Sequence, residues 1–252
     1  MVRLYRGAGF LGAALVVVLV ALAGGCSQIG ELRQNRAEDR TLDAVARRMK
    51  ALERIEGGGR FEVQHGEDAF DLPFMMRLDR RGILEVEAEI SDGPWSSLGS
   101  VRMVSDAMGT AIYGPDGPVG VAWMDSLGPV LRPLLLSVFG GGDMLVRWLL
   151  ANRCDAVRET RCGGVEVSLR MNRERGSVER WTIKDPARRV SFTGFVHSWS
   201  EAGPFPRIVT GMVHPYEVGI SVEFNEIGMA RGVPGLEKTG WAGNFDNGPR
   251  FQ

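Results

Sequence analysis

Histidine is nearly missing from this chain: His65, His197 and His214 are the only three in 252 residues. None stands at the spacing of a zinc-protease helix or a paired metal site, and each falls at a strand end or beside a proline. Acyl-transfer chemistry needs a nucleophile with an orienting base. No Gly-x-Ser-x-Gly elbow and no phosphate loop occurs in the sequence. The chain therefore reads as a non-enzyme without a catalytic residue, a metal or a cofactor. Charge of one sign is also lacking, since 30 Lys and Arg stand against 31 Asp and Glu for a net charge of −1. That balance gives no footprint for nucleic acid. Internal repeats and low-complexity linkers are absent as well, so a single folded domain is expected.

One uncharged run does stand out. Arg3 and Arg6 precede the stretch Ala8 to Ala23, which contains the block Leu15 to Leu22 and ends in Ala21-Leu22-Ala23-Gly24-Gly25-Cys26. A charged start, an apolar middle and small residues before a cysteine are the marks of a lipoprotein export signal. Residues 1–25 are then a signal peptide and Cys26 is the lipid anchor. A plain transmembrane anchor is the alternative, because the run is near the shortest spanning length of roughly 17 residues. Ser27 is not the aspartate that retains lipoproteins at the inner membrane in enterobacteria-like sorting, which makes the outer membrane the expected destination. Residues 26–40 are polar and suit a tether. Loss of Arg3 and Arg6 shifts the net charge of the mature chain to −3.

Cysteine is as rare as histidine, and beyond Cys26 only Cys154 and Cys162 remain. In an oxidising compartment so near a pair is expected to form a disulfide. Two thiols with no neighbouring histidine do not complete a tetrahedral metal site.

From Asp39 to Glu56, Leu42, Val45, Ala46, Met49, Leu52 and Ile55 recur at spacings of three and four, an amphipathic helix pattern that Gly57-Gly58-Gly59 should stop. The period then changes to two. In Ile83 to Ile90, Leu84, Val86, Ala88 and Ile90 alternate with three glutamates, as in a strand with one face in water. Similar runs at Phe61 to His65, Leu72 to Arg80, Val101 to Ser105, Thr110 to Tyr113 and Val119 to Trp123 are separated by turn formers and read as a meander. Pro129 to Phe139 and Asp143 to Asn152 are apolar with helical spacing, divided by Gly140-Gly141-Gly142. Strands resume at Val165 to Met171, Val178 to Ile183, Arg189 to Val196, Arg207 to His214 and Gly219 to Glu226. A Gly-, Asn- and Pro-rich tail, residues 228–252, follows.

The fold class expected is mainly β (α+β). A strongly curved antiparallel sheet of roughly ten strands would form an incomplete barrel over residues 41–227, with an N-terminal helix and inserted covering helices. Within the insertion, Leu131, Leu135, Val138, Phe139, Leu145, Trp148 and Leu149 are more apolar than a surface helix needs. Either they are fully buried or they line an apolar cavity of the kind that holds acyl chains. The turn Ser91 to Gly99 places Trp95 and Leu98 in a polar setting. Such a tip can enter a membrane interface or fold back over the core.

Several elements in this order resemble the outer-membrane lipoprotein receptor family LolB and, more broadly, lipoprotein-carrier-like proteins with an unclosed barrel. The matching features are Cys26, the first helix, the Trp95 to Gly99 turn followed by Met103 to Gly117, and the helix holding Met144-Leu145-Val146-Arg147-Trp148-Leu149. Val178-Glu179-Arg180-Trp181, Val190 to Phe195 and Pro204 to Ile208 continue the match. The resemblance implies about eleven antiparallel strands around a hydrophobic cavity with covering helices. It implies a protein on the periplasmic face of the outer membrane that takes lipoprotein acyl chains or lipid from a periplasmic carrier protein and passes them to that membrane. Leu98, with Trp95, would be the membrane-insertion loop. The rival expectation is a structural adaptor lipoprotein of an envelope assembly machine, with the same fold and a filled core.

Overall fold

The computed structural model describes residues 37–89, 99–119, 122–201 and 205–231. The expected signal peptide, Cys26, Trp95, Leu98 and the residues from 232 onward lie outside the described residues.

Helix α1, residues 37–50, leads into a mostly antiparallel chain path of twelve strands. Strands β1 (Leu52–His65), β2 (Asp68–Leu78), β3 (Leu84–Glu89), β4 (Ser100–Ser105), β5 (Thr110–Gly114) and β6 (Gly117–Val119) come first. Helix α2 (Ala122–Leu127), a short 3-10 turn, helix α3 (Leu131–Gly140) and helix α4 (Asp143–Ala151) follow. The chain closes with β7 (Glu159–Cys162), β8 (Val165–Asn172), β9 (Ser177–Asp185), β10 (Val190–Trp199), β11 (Pro206–His214) and β12 (Val218–Arg231).

All twelve strands form one antiparallel sheet in the order β6-β5-β4-β3-β2-β1-β12-β11-β10-β9-β8-β7. Each strand thus pairs with its neighbours in sequence, and the first pairs with the last. The circuit is broken only between β6 and β7, where the helices α2 to α4 join one edge of the sheet to the other. Both edge strands are short, three and four residues, which limits the unpaired backbone available for pairing with another chain.

Alternation decides what faces the helices. Ile55, Phe74, Met76, Leu78, Leu84 and Val86 are buried on the concave face, while Glu85 and Glu87 stand on the other. The registers Ile55 to Leu78, Met76 to Val86 and Leu78 to Leu84 keep these side chains on one face across three strands. On the far half, Trp181 lies across Gly194 of the neighbouring strand, whose added Cβ would meet the indole at 2.5 Å. A ring laid flat over a glycine fills the interior without a competing side chain.

Four expectations change. Leu52 and Ile55 belong to β1 and not to the first helix, which ends at residue 50. A register shift between Leu52 and Arg54 puts both inward at a spacing of three, which imitates helical periodicity. Gly57-Gly58-Gly59 does not stop a helix but lies inside that strand, where a Cβ on Gly59 would overlap the Glu223 carbonyl of β12. The run from Val119 to Trp123 is divided, since β6 ends at Val119 and α2 already includes Trp123; as an edge strand held on one side, β6 gives way to the helical crossover after three pairs. Strand β7 adds a twelfth member whose polar residues, Glu159, Thr160 and Arg161, carried no apolar signal. Helical residues begin at position 37, and β12 runs to Arg231.

Candidate functional site

The concave face of the sheet and the helices wedged into it form the candidate site. Helix α3 packs against β10, β11 and β12. Its Phe139 ring lies 5.3 Å from that of Phe61 and 5.2 Å from that of Phe74, and Phe74 in turn meets Phe224 at 5.9 Å. This aromatic cluster joins the helix to β1, β2 and β12 at separations that suit tilted and edge-on ring contacts.

Leu135, Val138, Phe139, Leu145, Trp148 and Leu149 are all buried in one core, and Leu131 is half-buried against it. Among the described residues they face packed side chains. Beside Gly140, Gly141 and Gly142 the enclosed space is about 10 Å3, room for about one water. The interior is filled because Phe139, Phe74, Trp181 and Phe192 supply rings from both layers. A larger hollow of about 510 Å3 is lined by Gly58, Gly59, Pro73, Phe74, Met75 and Ala88, with Glu87, Glu89 and Glu226 beside them. Its rim of carboxylates is a poor lining for an acyl chain.

Beyond the helices the concave face continues as a half-exposed apolar rim. Val63, Phe70 and Leu72 lie on the same face as Phe61 and Phe74, with Val63 opposite Phe70 and Phe61 opposite Leu72. These three are outside the packed core.

Polar contacts hold the helices in place. Arg132 of α3 donates to the Gly82 carbonyl at 3.3 Å, and Arg147 of α4 to the Asp79 carbonyl at 2.8 Å, both on the β2–β3 turn. Burial lowers the pKa of both guanidinium groups from the ordinary arginine value. At the start of α4, Asp143 accepts from Arg48 of α1 and, at 2.8 Å, from the Val178 amide of β9. Burial nevertheless raises the Asp143 pKa above the usual carboxylate value, with Arg48 as the main opposing influence. After α4, the Cys154–Cys162 disulfide fastens the helical segment to β7 at a Cα separation of 5.9 Å. None of the three arginines was singled out from the sequence. A single charge inside an apolar run, Arg132 in α3 or Arg147 in α4, was the available signal. Among the described residues no group of three potential metal ligands comes together.

The structure thus defines an open antiparallel barrel plugged by its own helical insertion. No family model matches the chain, and no curated protein matches it. Solved structures that are similar include a putative outer membrane lipoprotein-sorting protein domain from Vibrio parahaemolyticus, with 8% identity, a TM-score of 0.47, and coverage of 77% of this chain and 94% of the other. A LolA superfamily protein from Nitrosomonas europaea is similar at 8% identity and a TM-score of 0.46, over 76% and 94% of the two chains. A DUF1329 family protein from Desulfovibrio piger is similar at 9% identity and a TM-score of 0.47, over 77% and 94%.

Proposed function

We propose that this chain is an envelope lipoprotein that binds the acyl chains of lipids or lipoproteins on the concave face of its open barrel. The observation that carries this reading is the pairing of an unclosed sheet with a helical insertion whose apolar residues occupy the barrel's interior. An acyl chain needs far more room than the 10 Å3 beside the triple glycine, so binding requires α3 and α4 to give way. The half-exposed rim of Val63, Phe70 and Leu72 offers a first apolar contact. Each methylene taken from water onto such a surface contributes roughly 0.8 kcal/mol. Anchoring through Cys26 at the outer membrane, receipt from a periplasmic carrier protein, and delivery through the loop of Trp95 and Leu98 belong to this proposal.

A second reading is favoured by the filled core itself. In it the helices never leave, and the chain is an adaptor of an envelope assembly machine.

Mass spectrometry of the full chain, purified from membranes in mild detergent, separates the two. Under native conditions the first reading expects a stoichiometric acyl-bearing ligand, or uptake of an added acylated peptide. After denaturation the intact mass reports whether the chain begins at an acylated Cys26. A ligand-free protein that takes up neither lipid nor acylated peptide would leave the adaptor standing.

A further inference from the structure

Four arginines gather at one turn of the sheet. The β2–β3 turn contributes Arg80 and Arg81, both exposed. Helices α3 and α4 bring Arg132 and Arg147 to the Gly82 and Asp79 carbonyls of the same turn. Among the described residues neither Arg81, Arg132 nor Arg147 forms an ion pair, and Arg80 has only a distant contact with Glu53 at 3.9 Å. Arg132 Nε and Arg147 Nη1 are also buried with no acceptor. A buried guanidinium N–H without an acceptor is costly, and the two turn carbonyls do not use the full donor capacity of these side chains.

The acids facing this cluster are already engaged. Asp79 and Asp106 are the carboxylates whose charge is felt at Arg147 and Arg132. Asp79 Oδ1 accepts from the Ile83 amide at 2.9 Å, and Asp106 Oδ1 accepts from the Met108 and Gly109 amides at 2.7 and 3.1 Å. Each closes its own turn. The alternation of β2 to β5 puts these two turns at the same end of the sheet. The second presents Met108, 95% exposed, at its tip.

We propose that this end of the barrel binds a phosphate-class oxyanion, with Arg132 and Arg147 as inner donors and Arg80 and Arg81 as outer ones. A tetrahedral oxyanion offers several acceptors to converging guanidinium forks, which match phosphate geometry better than single carbonyls do. The same chemistry belongs to free phosphate and to an anionic lipid headgroup. Met108 beside the cluster would add an apolar contact for the lipid. The site lies at one end of the barrel, and its test with inorganic phosphate is independent of acyl binding on the concave face.

The test titrates the full chain, held in neutral detergent micelles, with inorganic phosphate and with short-chain phosphatidylglycerol. The readout is the Nε–Hε resonances of Arg132 and Arg147, assigned by Arg→Lys substitution at each. Movement of both resonances at similar concentrations of the two probes supports the site with free oxyanion as its ligand. A response to phosphatidylglycerol at about tenfold lower concentration supports it with the headgroup. The double variant Arg80→Gln, Arg81→Gln alters only exposed side chains, and it should weaken binding by about tenfold or more, the loss expected of charge-assisted hydrogen bonds. Unmoved resonances with both probes, or unchanged binding by the double variant, would overturn the proposal.

Discussion

Asp185 sits where β9 turns into β10, and its carboxylate serves that turn alone. Arg188 Nη1 donates to it at 2.9 Å, and the amides of Ala187 and Arg188 donate at 2.9 and 3.2 Å. The hydrogen bond from Arg188 is the main reason its pKa lies below the ordinary carboxylate value. A carboxylate whose folded pKa is depressed adds stability above its unfolded pKa, and that contribution disappears as pH falls through the folded one. Asp185→Asn should therefore lower the urea midpoint at neutral pH. The gap to the parent protein should close as the pH is taken below the ordinary aspartate range. A gap that stays constant across that range would mean the carboxylate's charge is not what the turn uses. Asp143 is the contrasting case, since there burial outweighs Arg48 and raises the pKa.

At the scale of elements, the helical insertion depends on its fastenings as well as its apolar faces. The disulfide closes a short loop, eight residues in sequence, between the end of α4 and β7. Cys162 is buried, so its loss would also disturb an edge strand with a single partner. Replacing both cysteines by serine should cost about 2–4 kcal/mol in chemical denaturation, the usual range for a native disulfide. A variant as stable as the parent would show that the helices hold β7 without it. The sequence offers this pair because Cys154 and Cys162 stand eight positions apart and are the cysteines that remain once Cys26 is read as the lipid anchor. The strands with clean alternation were legible too, Leu84 to Glu89 most of all. What hid the start of β1 was the register shift near Leu52, which makes a strand look helical, and what hid β7 was its polarity. Among the site residues, the apolar set from Leu131 to Leu149 could be found by composition. Whether that set lines a space or fills one could not, since that depends on rings arriving from distant strands, Phe61, Phe74 and Trp181. The arginine contacts were hidden for the same reason, as carbonyls of a remote turn leave no mark in the sequence around Arg132 and Arg147.

For the whole molecule the question is whether sheet and plug behave as one cooperative unit. Closing the chain through a β1–β12 pairing gives the sheet a continuous ladder of backbone hydrogen bonds that does not require the helices. The helices contribute instead through packed side chains and a handful of polar contacts from Arg48, Arg132 and Arg147. Elements held in this way open at lower free energy than the ladder they cover. Hydrogen exchange of the full chain in detergent should therefore show the amides of α3 and α4 exchanging before those of β1, β9, β10 and β12. Addition of an acylated peptide should speed exchange in both helices, because a chain that takes their place leaves them fewer contacts. It should slow exchange at Phe61 to Leu72, where the apolar rim would be covered. Exchange of helices and sheet in one step, unaltered by the peptide, would mean that the plug is part of a permanent core, and the adaptor reading would then account for the fold.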